Sequence, residues 1–176
     1  MLLMLTIGPV PAGATGNAVV GAAAPDFALP AVQGGNGRLS EHRGKVVVIT
    51  FWSSRCSSCV TQLAELNALQ ERYGPAGLIT LAVSVDSDVA RARTFAREMA
   101  VPKGFIVPML LDADLVVGRN YGVERLPTTV LIDRAGRMRA VLHDYHRTDN
   151  SYISQLRALL DDSGLAHRIF LDSGWH

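Results

Sequence analysis

Lys45-Val46-Val47-Val48-Ile49-Thr50-Phe51-Trp52 is an almost continuous apolar, β-branched and aromatic run. Such a run predicts a strand buried on both faces of a parallel sheet. Ser53 and Ser54 break it. From Cys59 onward Val60, Leu63, Leu66 and Leu69 recur at helical spacing with Ala64 and Ala68 between them, while Gln62, Glu65, Asn67, Gln70 and Glu71 fill the other face. An amphipathic helix therefore starts at or near Cys56. The alternation continues with a second buried strand over Leu78 to Val85 and a second helix over Asp88 to Ala100, which makes a βαβ crossover. Asp86, Ser87 and Asp88 stand at the strand-to-helix turn, where such side chains cap helix N-termini.

Met109 to Leu111 is a third short strand, and a short helix runs from about Leu115 to Tyr121 with Gly122 as its stop. Leu126 to Asp133 is another strand, and Pro127 is tolerated near its start because the first residue need not donate to a ladder. Arg134 to Arg137 turns this strand into Met138 to Leu142, an antiparallel hairpin. A helix over Asn150 to Asp162, stopped by Gly164, closes the domain. Gly34-Gly35-Asn36-Gly37 lacks the Lys-Ser/Thr and following helix of a phosphate loop, and reads as a hairpin turn.

The only two cysteines, Cys56 and Cys59, lie where the first strand gives way to its helix. A thiol there sees unpaired backbone N–H groups and the positive end of the helix dipole, both of which favour thiolate. Arg55, immediately before, adds a positive charge expected to favour it further. With two residues between them inside one helical turn, the sulfurs can reach each other, so a mixed disulfide at Cys56 can be resolved by Cys59. A zinc site would need two more ligands; His143 and His146 are available, but far along the chain and unlike the compact spacing of zinc fingers. A purely structural disulfide would close too short a loop to remove much entropy from the unfolded chain.

At 176 residues, 48% apolar and 19% charged, with net charge +1, the chain suits one globular domain with an ample core. Its cations are scattered among the acids without a basic run, so no nucleic-acid partner is expected. Residues 1–23 differ, carrying Met1-Leu2-Leu3-Met4-Leu5, then Gly, Pro and Ala, and no charge before Asp26. They read as an apolar leader or flexible tail outside the fold. Leu2 to Val10 could form the core of a secretory signal and Ala12-Gly13-Ala14 a cleavage site, although the positive n-region is missing. Export would place the protein in the periplasm or another extracytoplasmic space; the alternative is cytoplasmic. Residues 24–164 form the domain, and 165–176 a C-terminal extension without an assigned role.

Pro25-Asp26-Phe27-Ala28-Leu29, the strand-Cys56-Ser57-Ser58-Cys59-helix, the inserted βα unit, Asp112 to Gly122, and Leu126-Pro127-Thr128-Thr129, in this order, resemble the TlpA/ResA-like thiol-disulfide oxidoreductases of the thioredoxin superfamily. The resemblance covers roughly residues 24 to 160 and implies a single thioredoxin-like α/β domain, with a central mixed sheet flanked by helices, an N-terminal extension and an inserted βα unit. It also implies a protein disulfide reductase without metal or organic cofactor. Cys56 would be the exposed nucleophile, Cys59 the buried resolving thiol, and Pro127 a cis proline beside the disulfide. Leu126 and Trp52 would border the groove in which a substrate segment pairs as an added strand. The implied partners are protein thiols and disulfides and, if the protein is exported, a membrane electron donor; secreted clients such as apocytochrome c follow from the resemblance alone. The protein is expected to act as a monomer.

Arg55, Ser58 and Gln62 stand where family members often carry Trp, Pro and Glu, and Thr50 stands where thioredoxin has a buried aspartate. Neither familiar proton acceptor for the resolving thiol is therefore present, and Glu65, one turn further, reads as a solvated charge. A peroxiredoxin is the enzymatic alternative, but its Pro-x-x-x-Thr-x-x-Cys pattern is replaced at both earlier positions, by Ile49 and Ser53. A Cu(I) metallochaperone, with His143 or His146 as a further ligand, is the non-catalytic alternative.

Overall fold

In the computed structural model, the structure describes residues 19–100, 104–143 and 151–161. The strands are β1 (Ala28–Pro30), β2 (Asn36–Arg38), β3 (Val46–Trp52), β4 (Leu78–Ser84), β5 (Met109–Leu111), β6 (Thr128–Ile132) and β7 (Met138–His143). The helices are α1 (Ser57–Tyr73), α2 (Val89–Ala100), α3 (Val116–Asn120) and α4 (Ser151–Asp161). The main sheet has the order β5-β4-β3-β6-β7, with β3, β4 and β5 parallel and β6 and β7 antiparallel to their neighbours. It is the mixed sheet the resemblance implies.

Every residue of β3 is buried, because the strand lies at the centre of the sheet and both faces are covered. Alternate side chains go to opposite faces. Val47, Ile49 and Phe51 join Phe27, Leu29, Leu81, Val83, Val130, Ile132 and Tyr121 on one side, while Val46 and Val48 join Leu66, Tyr73, Leu156 and Leu160 on the other. Each such side chain contributes about 1.5–3 kcal/mol of transfer free energy. Tyr121 joins the elements on the first side: its ring meets Phe27 edge-on at 6.2 Å and Phe51 at 5.6 Å, and its hydroxyl donates to Pro25 O at 2.7 Å.

The hairpin expected at Gly34 to Gly37 is present as β1–β2, but its strands, three residues each, are too short to show a period and were not foreseen. Its turn covers residues 31–35, so Asn36 and Gly37, expected within the turn, belong to β2. Residues 21–23, expected ahead of the domain, hydrogen-bond to it. Gly21 N donates to Met138 O at 2.7 Å, Met138 N to Ala22 O at 2.9 Å and Ala24 N to Gly136 O at 2.9 Å, so residues 21–23 belong to the fold. The proposed signal and cleavage site, His146, Gly164 and the C-terminal extension lie outside the described residues.

The main correction concerns α1, whose polar face does not simply look to solvent. Gln62 and Asn67 are buried. Asn67 Oδ1 accepts the backbone N–H of Ile106 at 2.8 Å and of Val107 at 3.4 Å, which seats the loop before β5. Gln70 accepts from Thr80 N at 2.7 Å and donates to Leu78 O at 3.1 Å. It thereby satisfies the stretch of β4 edge that short β5, paired only with Ala82 to Ser84, leaves open.

Candidate active site

Cys56 is the N-cap of α1, with extended backbone, and its Sγ accepts the N–H of Cys59 at 3.2 Å. This N–H is one of the first-turn donors that lack a helical partner. Cys56 and Cys59 are joined by a disulfide. Cys56 is partly exposed, whereas Cys59 is 0% exposed and packs with Trp52, Leu63, Ala82, Met109 and Leu111. Ser58 Oγ lies 3.5 Å from Cys56 Sγ. A disulfide sulfur carries no hydrogen, so the hydroxyl is the donor.

The loop leading into Cys56 is held from β4. Asp86 accepts from Ser54 N at 2.7 Å and from Ser54 Oγ at 3.1 Å, and its Oδ2 also accepts from Ser84 Oγ at 3.2 Å. Of the three residues expected to cap α2, Asp88 does so, taking Arg91 N at 3.0 Å, and Asp86 instead anchors the cysteine loop. That role depends on strand pairing, since Trp52 lies opposite Ser84 in the β3–β4 register.

The Leu126–Pro127 peptide is cis. Pro127 is buried; Leu126 and Cys56 are both partly buried and pack against the cluster that contains Cys59. The tertiary structure thus brings together the cysteine pair and the segment before β6. Arg55 is exposed beside Cys56, and its backbone N donates to Ser53 Oγ at 3.4 Å. Trp52 departs from expectation: it is 0% exposed, with its ring 5.0 Å from that of Phe95, so it offers no surface to a docked segment and supports the disulfide from below.

Beneath the pair lies a ring of buried polar side chains. Thr50 Oγ1 donates to Gln62 Oε1 at 2.9 Å, Gln62 Nε2 donates to Thr129 Oγ1 at 2.8 Å, and Thr129 Oγ1 donates to Thr50 Oγ1 at 3.4 Å. The ring ties α1 to β3 and to β6 two residues beyond Pro127. It is uncharged and supplies no proton acceptor to Cys59. A signal for Gln62 did exist: Cys59, Gln62, Leu63 and Leu66 fall at i, i+3, i+4 and i+7 on one stripe of the helix, and position on that stripe outweighed polarity. Glu65 is oriented toward α4 instead. It adds to the burial that pushes the Tyr152 phenol up to about 12.

His143 Nδ1 lies 3.1 Å from Thr128 Oγ1, whose proton is donated to Arg125 O at 2.7 Å; the ring nitrogen is therefore the donor in that pair. Among the described residues no three His, Cys, Asp or Glu side chains converge as a metal site would require, which removes the support for a copper site built on His143.

The sequence profile of the AhpC/TSA family matches residues 20–141. The thiol-disulfide oxidoreductase ResA of Geobacillus thermodenitrificans is 35% identical over 123 residues, 70% of this chain and 68% of the relative. The thioredoxin-like protein YneN of Bacillus subtilis is 29% identical over 126 residues, 72% of this chain and 70% of the relative. Among solved structures, a thiol:disulfide interchange protein DsbE from Chlorobium tepidum superposes with a TM-score of 0.73 at 32% identity, covering 82% of this chain and 99% of that one. The exposed lipoprotein thioredoxin Etrx1 of Streptococcus pneumoniae gives a TM-score of 0.65 at 26% identity, covering 76% and 99%. A dithiol pair on such a scaffold exchanges disulfides with protein thiols, and the chain belongs to the AhpC/TSA family of thioredoxin-like proteins, as a ResA-like thiol-disulfide oxidoreductase.

Proposed function

We propose that the protein is an extracytoplasmic disulfide reductase in which Cys56 attacks the substrate and Cys59 resolves the intermediate. The observation that carries this reading is the unequal exposure of the two joined sulfurs, Cys56 partly exposed at the helix N-cap and Cys59 fully buried. Only an accessible sulfur can meet a disulfide on a second protein. The Cys56 thiolate attacks one substrate sulfur, a mixed disulfide forms and the other substrate sulfur leaves as a thiolate. Cys59 then attacks Cys56 Sγ, the enzyme disulfide forms, and the second substrate sulfur leaves and takes up the proton Cys59 released. Burial of Cys59 among apolar side chains disfavours a second thiolate in the reduced pair, which supports the reducing direction.

Leu126 and Pro127 line the docking edge in this reading, and Arg55 flanks it. The cis-proline segment would present backbone to an extended substrate strand. The similarity to a protein described as an exposed lipoprotein supports an extracytoplasmic site, and no helix among the described residues is long and apolar enough to cross a membrane. Outside the cytoplasm the dithiol is refreshed by a membrane partner; an exported thiol protein such as an apocytochrome c is a fitting client, and the enzyme works as a monomer. The peroxidase alternative lacks the expected proline and threonine, their positions being held by Ile49 and Ser53.

The hydrogen bonds onto Cys56 Sγ favour a second direction, oxidation, because they stabilise the reduced, thiolate form. Equilibration with glutathione redox buffers, read by thiol trapping, separates the two. A potential at or below about −250 mV supports the reductase, and one of about −120 to −180 mV the oxidant. A Cys59→Ser variant is expected to accumulate covalent substrate adducts. The assignment of roles fails if it does not while Cys56→Ser retains activity.

A further inference from the structure

Strands β4, β3, β6 and β7 meet at the end of the sheet that carries the cysteines, because Trp52 lies opposite Ser84, Phe51 opposite Thr128 and Thr128 opposite His143. Strand order therefore ranks the segments there: the one after β4, the cysteine loop after β3, the cis-proline segment before β6 and the end of β7. Neighbouring strands are about 4.8 Å apart. Charge is unevenly spread along this row. The acids after β4 are engaged, Asp86 accepting from Ser54 and Ser84 and Asp88 pairing with Arg91 at 3.8 Å. Each of the next two segments carries an exposed arginine, Arg55 immediately before Cys56 and Arg125 immediately before Leu126. Glu124, the exposed acid beside Arg125, stands one residue further from the cis bond. The backbone of Arg125 is fixed, since its carbonyl takes the Thr128 hydroxyl at 2.7 Å and that oxygen takes the His143 ring N–H at 3.1 Å. A substrate sulfur bonded to Cys56, in a segment paired with the backbone of Leu126, has its sequence neighbours between the two arginines. A guanidinium matches a carboxylate with two parallel hydrogen bonds, and exposed charges at the rim of a contact choose among partners more than they add affinity.

We propose that Arg55 and Arg125 are specificity-determining residues, and that the protein acts on client polypeptides whose reacting cysteine is flanked by Asp or Glu. The inference deepens the reductase reading and rests on Cys56 being the attacking sulfur and Leu126 the docking edge. The arginines take no part in the exchange of electrons. They hold the acidic neighbours of the client cysteine while the mixed disulfide forms, and they repel a segment in which those neighbours are lysines. Because the contact is exposed, it is screened by salt, whereas backbone pairing at Leu126 is the same for every client.

Peptides that share one intramolecular disulfide and differ in having Asp, Ser or Lys on either side of one cysteine test this with the reduced protein. Each rate, read by thiol trapping, is divided by the rate of the same peptide with dithiothreitol, an uncharged thiol, which removes differences in the peptides' own reactivity. At low ionic strength the Asp peptide is expected to be reduced about fivefold to thirtyfold faster than the Lys peptide, as for a few exposed charge pairs, with the Ser peptide between them. In about 1 M salt the ratio should fall to within about twofold. The double variant Arg55→Glu with Arg125→Glu should invert the order, and Arg55→Lys with Arg125→Lys should keep it. A change in the reactivity of Cys56 or a loss of folded protein slows all the peptides together and leaves the ratio where it was. The proposal is overturned if the parent treats the Asp and Lys peptides alike, or if the double reversal keeps the parent's order. Cys56→Ser addresses the underlying assignment separately: a variant that still reduces the peptides would sink that assignment whatever the ratios show.

Discussion

Gln62 is polar, helical and buried, and its worth lies in being satisfied at both ends of its amide. Replacing it with methionine keeps length and volume but leaves the Thr50 and Thr129 hydroxyls to pair only with each other. The loss is expected to be about 1–3 kcal/mol, the range for buried groups deprived of a partner, and urea denaturation of the oxidised protein measures it; no change in midpoint would mean that water replaces the amide. The same residue shows why polarity alone misleads, since Gln62, Asn67 and Gln70 each sit on or beside the helix stripe that faces the sheet and find partners in segments outside α1. Trp52 errs in the opposite sense. An aromatic residue next to a reactive motif suggests a binding surface, yet at the end of a strand covered on both faces it is core. Cys56 and Cys59 stood out in the sequence because their spacing and the strand-to-helix junction are local, whereas Pro127 was expected beside them only from the resemblance and reaches them through the tertiary structure.

At the scale of elements, the β6–β7 hairpin depends on its turn. Asp133 is only modestly exposed: burial opposes its ionisation, but the Arg137 N–H at 2.9 Å and the Arg139 guanidinium at 2.6 Å outweigh that and hold the carboxyl below its ordinary 3.8. Gly136 completes the turn at φ 78°, and the Arg43 guanidinium covers the side where a Cβ would stand. Because the folded carboxyl is the more acidic, its contribution is complete above pH 3.8 and is lost as the pH falls through the lower folded value. Asp133→Asn should be less stable than the parent at neutral pH and should lose less stability on acidification below that range. Thermal midpoints across an acid pH series read this, and parallel curves for the two proteins would refute it. Strand and helix limits came close to expectation, β5 matching and β4 ending one residue early. The strands of the β1–β2 hairpin did not, being too short to carry a period, although its turn was expected.

Over the whole molecule, the two faces of the sheet and its end near the cysteines form separate clusters, and Leu156 of α4 belongs to the one under Val46 and Val48 that excludes Cys59. Leu156→Ala should therefore cost about 2–5 kcal/mol through the cavity left behind, with the potential of the cysteine pair unchanged. Denaturant midpoint and glutathione equilibrium are the two readouts, and a shifted potential would show that the clusters are coupled.

Periodicity and the strand-Cys-x-x-Cys-helix junction were enough to settle the α/β class, the order of most elements and the reactive pair, because each rests on contacts between residues close in the chain. Which polar residues are buried, which acid anchors the cysteine loop, that residues 21–23 pair with the turn before β7, and that Trp52 lies beneath the site were decided by the packing of distant segments. Asp86 reaches Ser54, and Gln62 reaches Thr129, only after β3 has been flanked by β4 on one side and β6 on the other. No local pattern encodes those meetings, since a side chain's partner across a sheet is set by strand order and register, and these are properties of the assembled sheet.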